Sequence, residues 1–209
     1  MIDAHHFWLF LATATLLAIS PGPGMLYVLA RSLAGGRREG VLSSLGTFLG
    51  GLVHVIAAAL GLSLVLATSA IAFAVVKYAG AAYLMYLGLL MVLNARHETD
   101  FHLPAATSGR GAFWQGVITE ALNPKTALFF LAFIPQFVSR SHGRVFWQFL
   151  LLGTISVILN TVCDLIVVLM ASPIGSRLRS SVSLRRRQRA ASGLTLIGLG
   201  AYVAVAEGR

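Results

Sequence analysis

Two ionisable side chains stand deep inside long apolar runs, Lys125 within 112–138 and Asp164 within 145–171. A charge at the centre of a bilayer costs roughly 2.5–3.5 kcal/mol on insertion scales, so each is expected to have a partner or a task. Lys125 could hold a carboxylate or pass a proton; its plainer use is to neutralise a buried acid. Asp164 lies some six residues past the middle of its run, about 9 Å along a helix axis. Asn160 is one turn earlier on the same face and Thr161 is beside it. A protonatable carboxylate on such a polar stripe is suited to couple transport to protons, because apolar surroundings disfavour its charge. The plainer alternative is a neutral aspartic acid hydrogen-bonded to another helix. Glu120 could carry a second proton or sit in a cytoplasmic vestibule. His54 could relay a proton, though a lone intramembrane histidine more often bonds a neighbouring helix. Lys77, followed by Tyr78 near an outer end, can snorkel to the interface.

Two helix breaks accompany these residues. Ser20-Pro21-Gly22-Pro23-Gly24 cannot continue a regular helix, because its prolines remove donors and clash with preceding carbonyls while its glycines loosen the backbone. In hydrocarbon the freed carbonyls must find partners or line a wet cavity. They could coordinate the ammonium of a substrate, and the helix start beyond could face its carboxylate. The competing reading is a packing kink. Asn123-Pro124-Lys125 makes the second break. No Ser/His, Cys/His or carboxylate spacing recommends a nucleophile or a metal site, and no cofactor is expected.

The elements that must position these residues are apolar throughout. Of 209 residues 57% are hydrophobic and 11% charged, with a mean hydropathy of +0.81; soluble domains carry about 25% charged residues. Runs near 7–30, 41–66, 70–94, 112–138, 145–171 and 192–207 predict six transmembrane helices in a single domain spanning 1–209. The N-terminus lacks a basic stretch and does not read as a cleaved signal. The single cysteine, Cys163, excludes an intramolecular disulfide.

A net charge of +9 would suggest nucleic acid in a soluble protein, but its placement is topological. The first, third and fifth loops hold eleven arginines, Arg31, Arg37, Arg38, Arg96, Arg110 and the cluster from Arg177 to Arg189; the other side holds three. Both termini are therefore expected outside, with the cluster as a cytoplasmic anchor near anionic lipid. A weak repeat relates the halves, about 1–95 and 111–209. Pro21 and Pro124 are 103 positions apart, and the same offset pairs Arg37 with Arg140, Gly40 with Gly143 and Gly50 with Gly153. With three spans per half the repeats must be inverted, and matching interrupted helices then point to a transporter's binding site. Gly46 and Gly50 suit close helix packing, within one chain or across a homodimer.

The same residues resemble the lysine exporter (LysE) superfamily, and within it the RhtB-type homoserine/threonine and amino-acid exporters. The carriers are Ser20 to Gly24, Gly46 to Gly51, Lys77 to Leu84 with Leu87-Gly88, Asn123-Pro124-Lys125 with Phe129-Phe130 and Pro135-Gln136-Phe137, and Ser192-Gly193 with Gly198 and Gly200. The resemblance implies an exporter of amino acids or related metabolites in a bacterial inner membrane, driven by protons. It makes the two breaks the substrate site and Asp164, Lys125 and Lys77 its charged neighbours. Glu120 stands where that family usually has a neutral polar residue, which bears on substrate range. The alternative reading is an intramembrane enzyme or lipid-modifying protein using buried carboxylates.

Overall fold

The computed structural model describes residues 4–96, 109–139, 143–174 and 181–205, and all regular structure among them is helical. The main helices are α1 (Ala4–Ile19), α2 (Pro23–Thr68), α3 (Ala70–Leu93), α4 (Gly109–Ala121), α5 (Pro124–Leu128), α6 (Val145–Leu169) and α7 (Val182–Val205). Trp8, Ile71, Leu122 and Leu169 project outward. Apolar surface on that scale suits lipid and would be a liability in water.

The six expected spans are met only in part. Three helices are long and apolar enough to cross a bilayer, within Pro23–Leu62, Ile71–Leu93 and Val145–Leu169; α4 and the stretch Pro124–Phe137 form a fourth bent by 42°. Helix α1 is apolar but has 16 residues, fewer than the roughly 20 a span needs, because the Pro-Gly-Pro-Gly segment stops it at Ile19. Helix α7 begins among arginines, which keeps its first turns from being apolar.

The expected first loop is also corrected. Where an open linker was expected around Arg31 to Gly40, helix runs on through both sides and only Gly36 leaves helical geometry, with φ 75° and ψ −171°. A β-carbon would strain that left-handed backbone, so glycine is required. An unbroken helix of 46 residues would be about 69 Å long, more than twice the bilayer's apolar thickness. The bend is sharp. A β-carbon on Gly40 would collide with Ser32 Oγ, although residues eight apart lie about 12 Å apart along a straight helix. Arg31, expected in a loop, is buried: it donates to Tyr27 and Gln115 and lies 3.9 Å from Glu39. Arg140, Arg177 and Arg179 lie outside the described residues.

Packing uses close backbone contact. Gly46 and Gly50 face α4, where a β-carbon on Gly46 would overlap the Phe113 carbonyl, and Gly116 answers from the other side. The small-residue stripe therefore works within the chain, pressing α2 on α4. Helices α3 and α7 meet in the same way at Gly88 and Gly193. Aromatic rings fill the middle, with Phe133 between Phe129 and Phe137, and Phe10 against Phe137.

Candidate functional site

Both breaks form where the sequence places them, and their freed carbonyls are partnered across the bundle. At the first, Ser20 N donates back to both Leu16 O and Leu17 O, and the chain resumes helix at Pro23. Lys125 Nζ donates to Leu17 O at 2.8 Å and to Ser20 O. Ser192 on α7 donates to Pro21 O at 3.0 Å. At the second, Asn123 caps α5 by accepting from Lys125 N at 3.1 Å, and Pro124 occupies the first turn, where no donor is missed. Glu120 O, for which Pro124 has no N–H, accepts instead from Asn123 N at 3.0 Å and also meets His54 Nε2 at 2.9 Å.

Beyond α5 the helix widens into a π-turn over Phe129–Phe133, with Ile134 N reaching back to Phe129 O. Pro135 supplies the cause, since it has no N–H for Leu131 O and its ring presses on that carbonyl. The widening turns Phe129 and Phe130 into a small polar cavity of about 30 Å³. Ser20, Glu120, Asn123, Lys125, Asn160 and Asp164 also line it. Glu120 and Asp164 are both buried and held by neutral donors: Thr47 donates to Asp164 at 2.9 Å, and Asn123 and Thr126 donate to Glu120 at 3.0 and 2.6 Å. The volume suits about one or two waters.

Most of the expected residues are thus brought together, Gly22 and Gly24 included. Pro21, Pro23 and Pro124 line a neighbouring cavity of about 330 Å³ that Lys125 also reaches. Two of the expected residues lie outside that cavity. His54 does not line the polar cavity; it stacks on Phe130 with centroids 5.9 Å apart and caps Glu120 O, the ordinary interhelical use. Lys77 neither snorkels nor reaches the cavity. It is buried, with Nζ 5.1 Å from the Tyr78 ring centroid. Its helical neighbours Ala81 and Leu84 share its face and are fully buried, so that face turns into the bundle.

Sequence reasoning missed Thr47 and Thr126 and gave Ser192 no role, because hydroxyls are common in membrane helices and only tertiary contact shows which of them hold a carboxylate or a freed carbonyl. Ser192→Ala leaves Pro21 O bare. The variant is expected to lose roughly 1 kcal/mol of stability, read as a lower midpoint in thermal unfolding in detergent; an unchanged midpoint counts against the bond.

A bundle of apolar helices interrupted at two facing breaks, with charge gathered between them, is the build of a membrane transporter. The family model of the LysE type translocators matches residues 15–207, and the chain belongs to that family. It is accordingly a membrane translocator and not an enzyme. The homoserine/homoserine lactone efflux protein of Salmonella typhimurium is 30% identical over 199 residues, covering 95% of each chain. An uncharacterised membrane protein of Pseudomonas aeruginosa is 33% identical, covering 96% of this chain and 95% of its own. The leucine efflux protein of an Enterobacter strain is 26% identical with 95% of each chain covered. No solved structure matches the chain.

Proposed function

We propose that this protein exports an amino acid or a close metabolite across the bacterial inner membrane by proton antiport, binding it between the two helix breaks. The observation that carries the reading is the small polar cavity at which both breaks converge, with Lys125, Asp164 and Glu120 on its wall. A zwitterion needs a cationic donor and anionic acceptors, and here both sit beside the backbone carbonyls of the first break, which Lys125 holds. Relatives named for efflux of homoserine and of leucine support the substrate class. The cavity is too small for a molecule of that size, so this conformation is a closed one, and binding requires the breaks to part.

Six spans in two inverted halves remain the layout we infer, with α1 and the Pro23–Gly35 stretch as one broken span and α4 to Phe137 as its counterpart. Arginine placement supports termini on the outer side. Asp164 is the coupling group in this reading, and Asn160, Asn123 and Glu120 line the substrate's path. The test is efflux from proteoliposomes loaded with L-homoserine or L-leucine, with and without an imposed pH gradient. Release above that of empty-membrane controls, accelerated by the gradient, is expected; release indifferent to the gradient removes proton coupling, and no release of either overturns the substrate class.

A further inference from the structure

The ammonium of Lys125 is bound as a ligand would be. It donates to Ser20 O, which the first break leaves without a backbone donor, and to Leu17 O, which also accepts from Ser20 N at 3.2 Å. It makes no ion pair among the described residues, although Glu120 and Asp164 line the same cavity. Those carboxylates are held instead by hydroxyl and amide donors. The Lys125 stem runs close over Gly22, where a β-carbon would lie 2.9 Å from Cδ. Beside it, Ser20 is buried (8% exposed), lines the cavity, and its hydroxyl has no hydrogen-bond partner among the described residues. The place is therefore a seat for a primary ammonium, built of two carbonyls with an unused hydroxyl on the same residue, and this chain fills it with its own side chain.

We propose that this seat receives the primary ammonium of the transported molecule, and that Lys125 is an internal stand-in which occupies it only while the carrier is empty. The inference rests on the translocation reading above. Its physical basis is the cost of a bare carbonyl in hydrocarbon, which falls on Ser20 O, while Leu17 O keeps only its bond from Ser20 N. A loaded carrier has the substrate's ammonium on Leu17 O and Ser20 O. An empty one needs a replacement before it can close and reset. Lys125 supplies it. When substrate arrives, its ammonium takes the carbonyls and the Lys125 ammonium turns to the substrate's carboxylate or to the acids lining the same cavity. No bond is made or broken and no proton need move between the two amines. Because both ammonium groups compete for one seat, loading and the lysine contact exclude each other.

The consequence separates two transport modes. Exchange, with substrate on both sides, never requires the empty carrier to reset; net efflux does. Lys125→Ala in proteoliposomes is expected to lose net efflux of L-homoserine or L-leucine while keeping exchange of the same amino acid. Ethylammonium, a small primary amine, should restore part of net efflux, and tetramethylammonium, which has no N–H, should not. Loss of exchange together with net efflux in a folded variant makes Lys125 an ordinary substrate ligand or strut and overturns the proposal. The seat itself is read in detergent without any transport. Ethylammonium should raise the unfolding midpoint of Lys125→Ala by roughly 3 °C, with no rise from tetramethylammonium; equal effects of the two overturn it. A measurement on the unaltered protein covers the case of a variant that fails to fold. In protein labelled with 15N at the lysine side chains, L-leucine should shift the Lys125 ammonium resonance by evicting it from the carbonyls and its N-trimethylated analogue, which has no N–H, should not; equal effects of the two overturn the stand-in. A protein that moves neither amino acid ends the translocation reading, and the ethylammonium comparison then still decides whether the seat exists.

Discussion

Asp164→Asn is expected to fold, insert and bind, yet to lose gradient-driven efflux down to the level of empty liposomes. The substitution keeps size and keeps an oxygen to accept from Thr47, which holds Asp164 at 2.9 Å. What it removes is the ability to gain and lose a proton inside the polar cavity. Because Asp164 is buried and its Thr47 contact survives in Asn, stability should change little; monodispersity and unfolding midpoint in detergent check this. The transport assay imposes a pH gradient of either sign and compares initial rates with a zero-gradient control. Retained acceleration by the gradient in the folded variant removes Asp164 from coupling and leaves Glu120 as the next carboxylate on the same cavity. Thr47→Val separates geometry from titration. It should weaken coupling without abolishing it, since the acid remains.

Gly46→Val carries the largest expected effect on folding. A β-carbon at Gly46 overlaps the Phe113 carbonyl, which belongs to the α4 backbone and has no rotamer by which to give way. The helices must move apart, and with them Glu120 and Asn123, which follow on or just past α4. Overpacking in a tight core costs about 1–3 kcal/mol even where side chains can adjust, and here they cannot. The expected result is a sharp loss of monodisperse protein on size-exclusion chromatography. Gly61→Val serves as the contrast, because nothing lies within 4 Å of a β-carbon there and its effect should be small. Equal loss in both variants would mean that valine in α2, not the α2–α4 contact, is responsible.

Much of this was open to reading in the chain. The breaks were, because a Pro-Gly-Pro-Gly or Asn-Pro segment in an apolar run must disrupt helix whatever surrounds it. That Lys125 and Asp164 must be partnered was as well, because an isolated charge in hydrocarbon is too costly. Helix ends were legible only roughly: α3 starts where Ser69 accepts from Ala72 N, but the run of helix on both sides of Gly36 was hidden beneath loop-like arginines.

By itself, then, the sequence determined a chain that belongs in a bilayer, two interrupted helices and a set of charges that must be turned inward. All three follow from properties a residue carries anywhere, its hydropathy, its missing N–H or its cost of desolvation. The tertiary structure alone decided which partner each group took. It set Lys125 on the carbonyls of Leu17 and Ser20 and not on an acid, gave Asp164 to Thr47, and made His54 a cap on Glu120 O. It also buried Lys77 away from the cavity. The pairings join residues as far as 117 positions apart, and hydrogen bonding depends on tenths of an ångström. Apolar patterning places a helix to within a few residues, so such choices are made only when backbones come into contact.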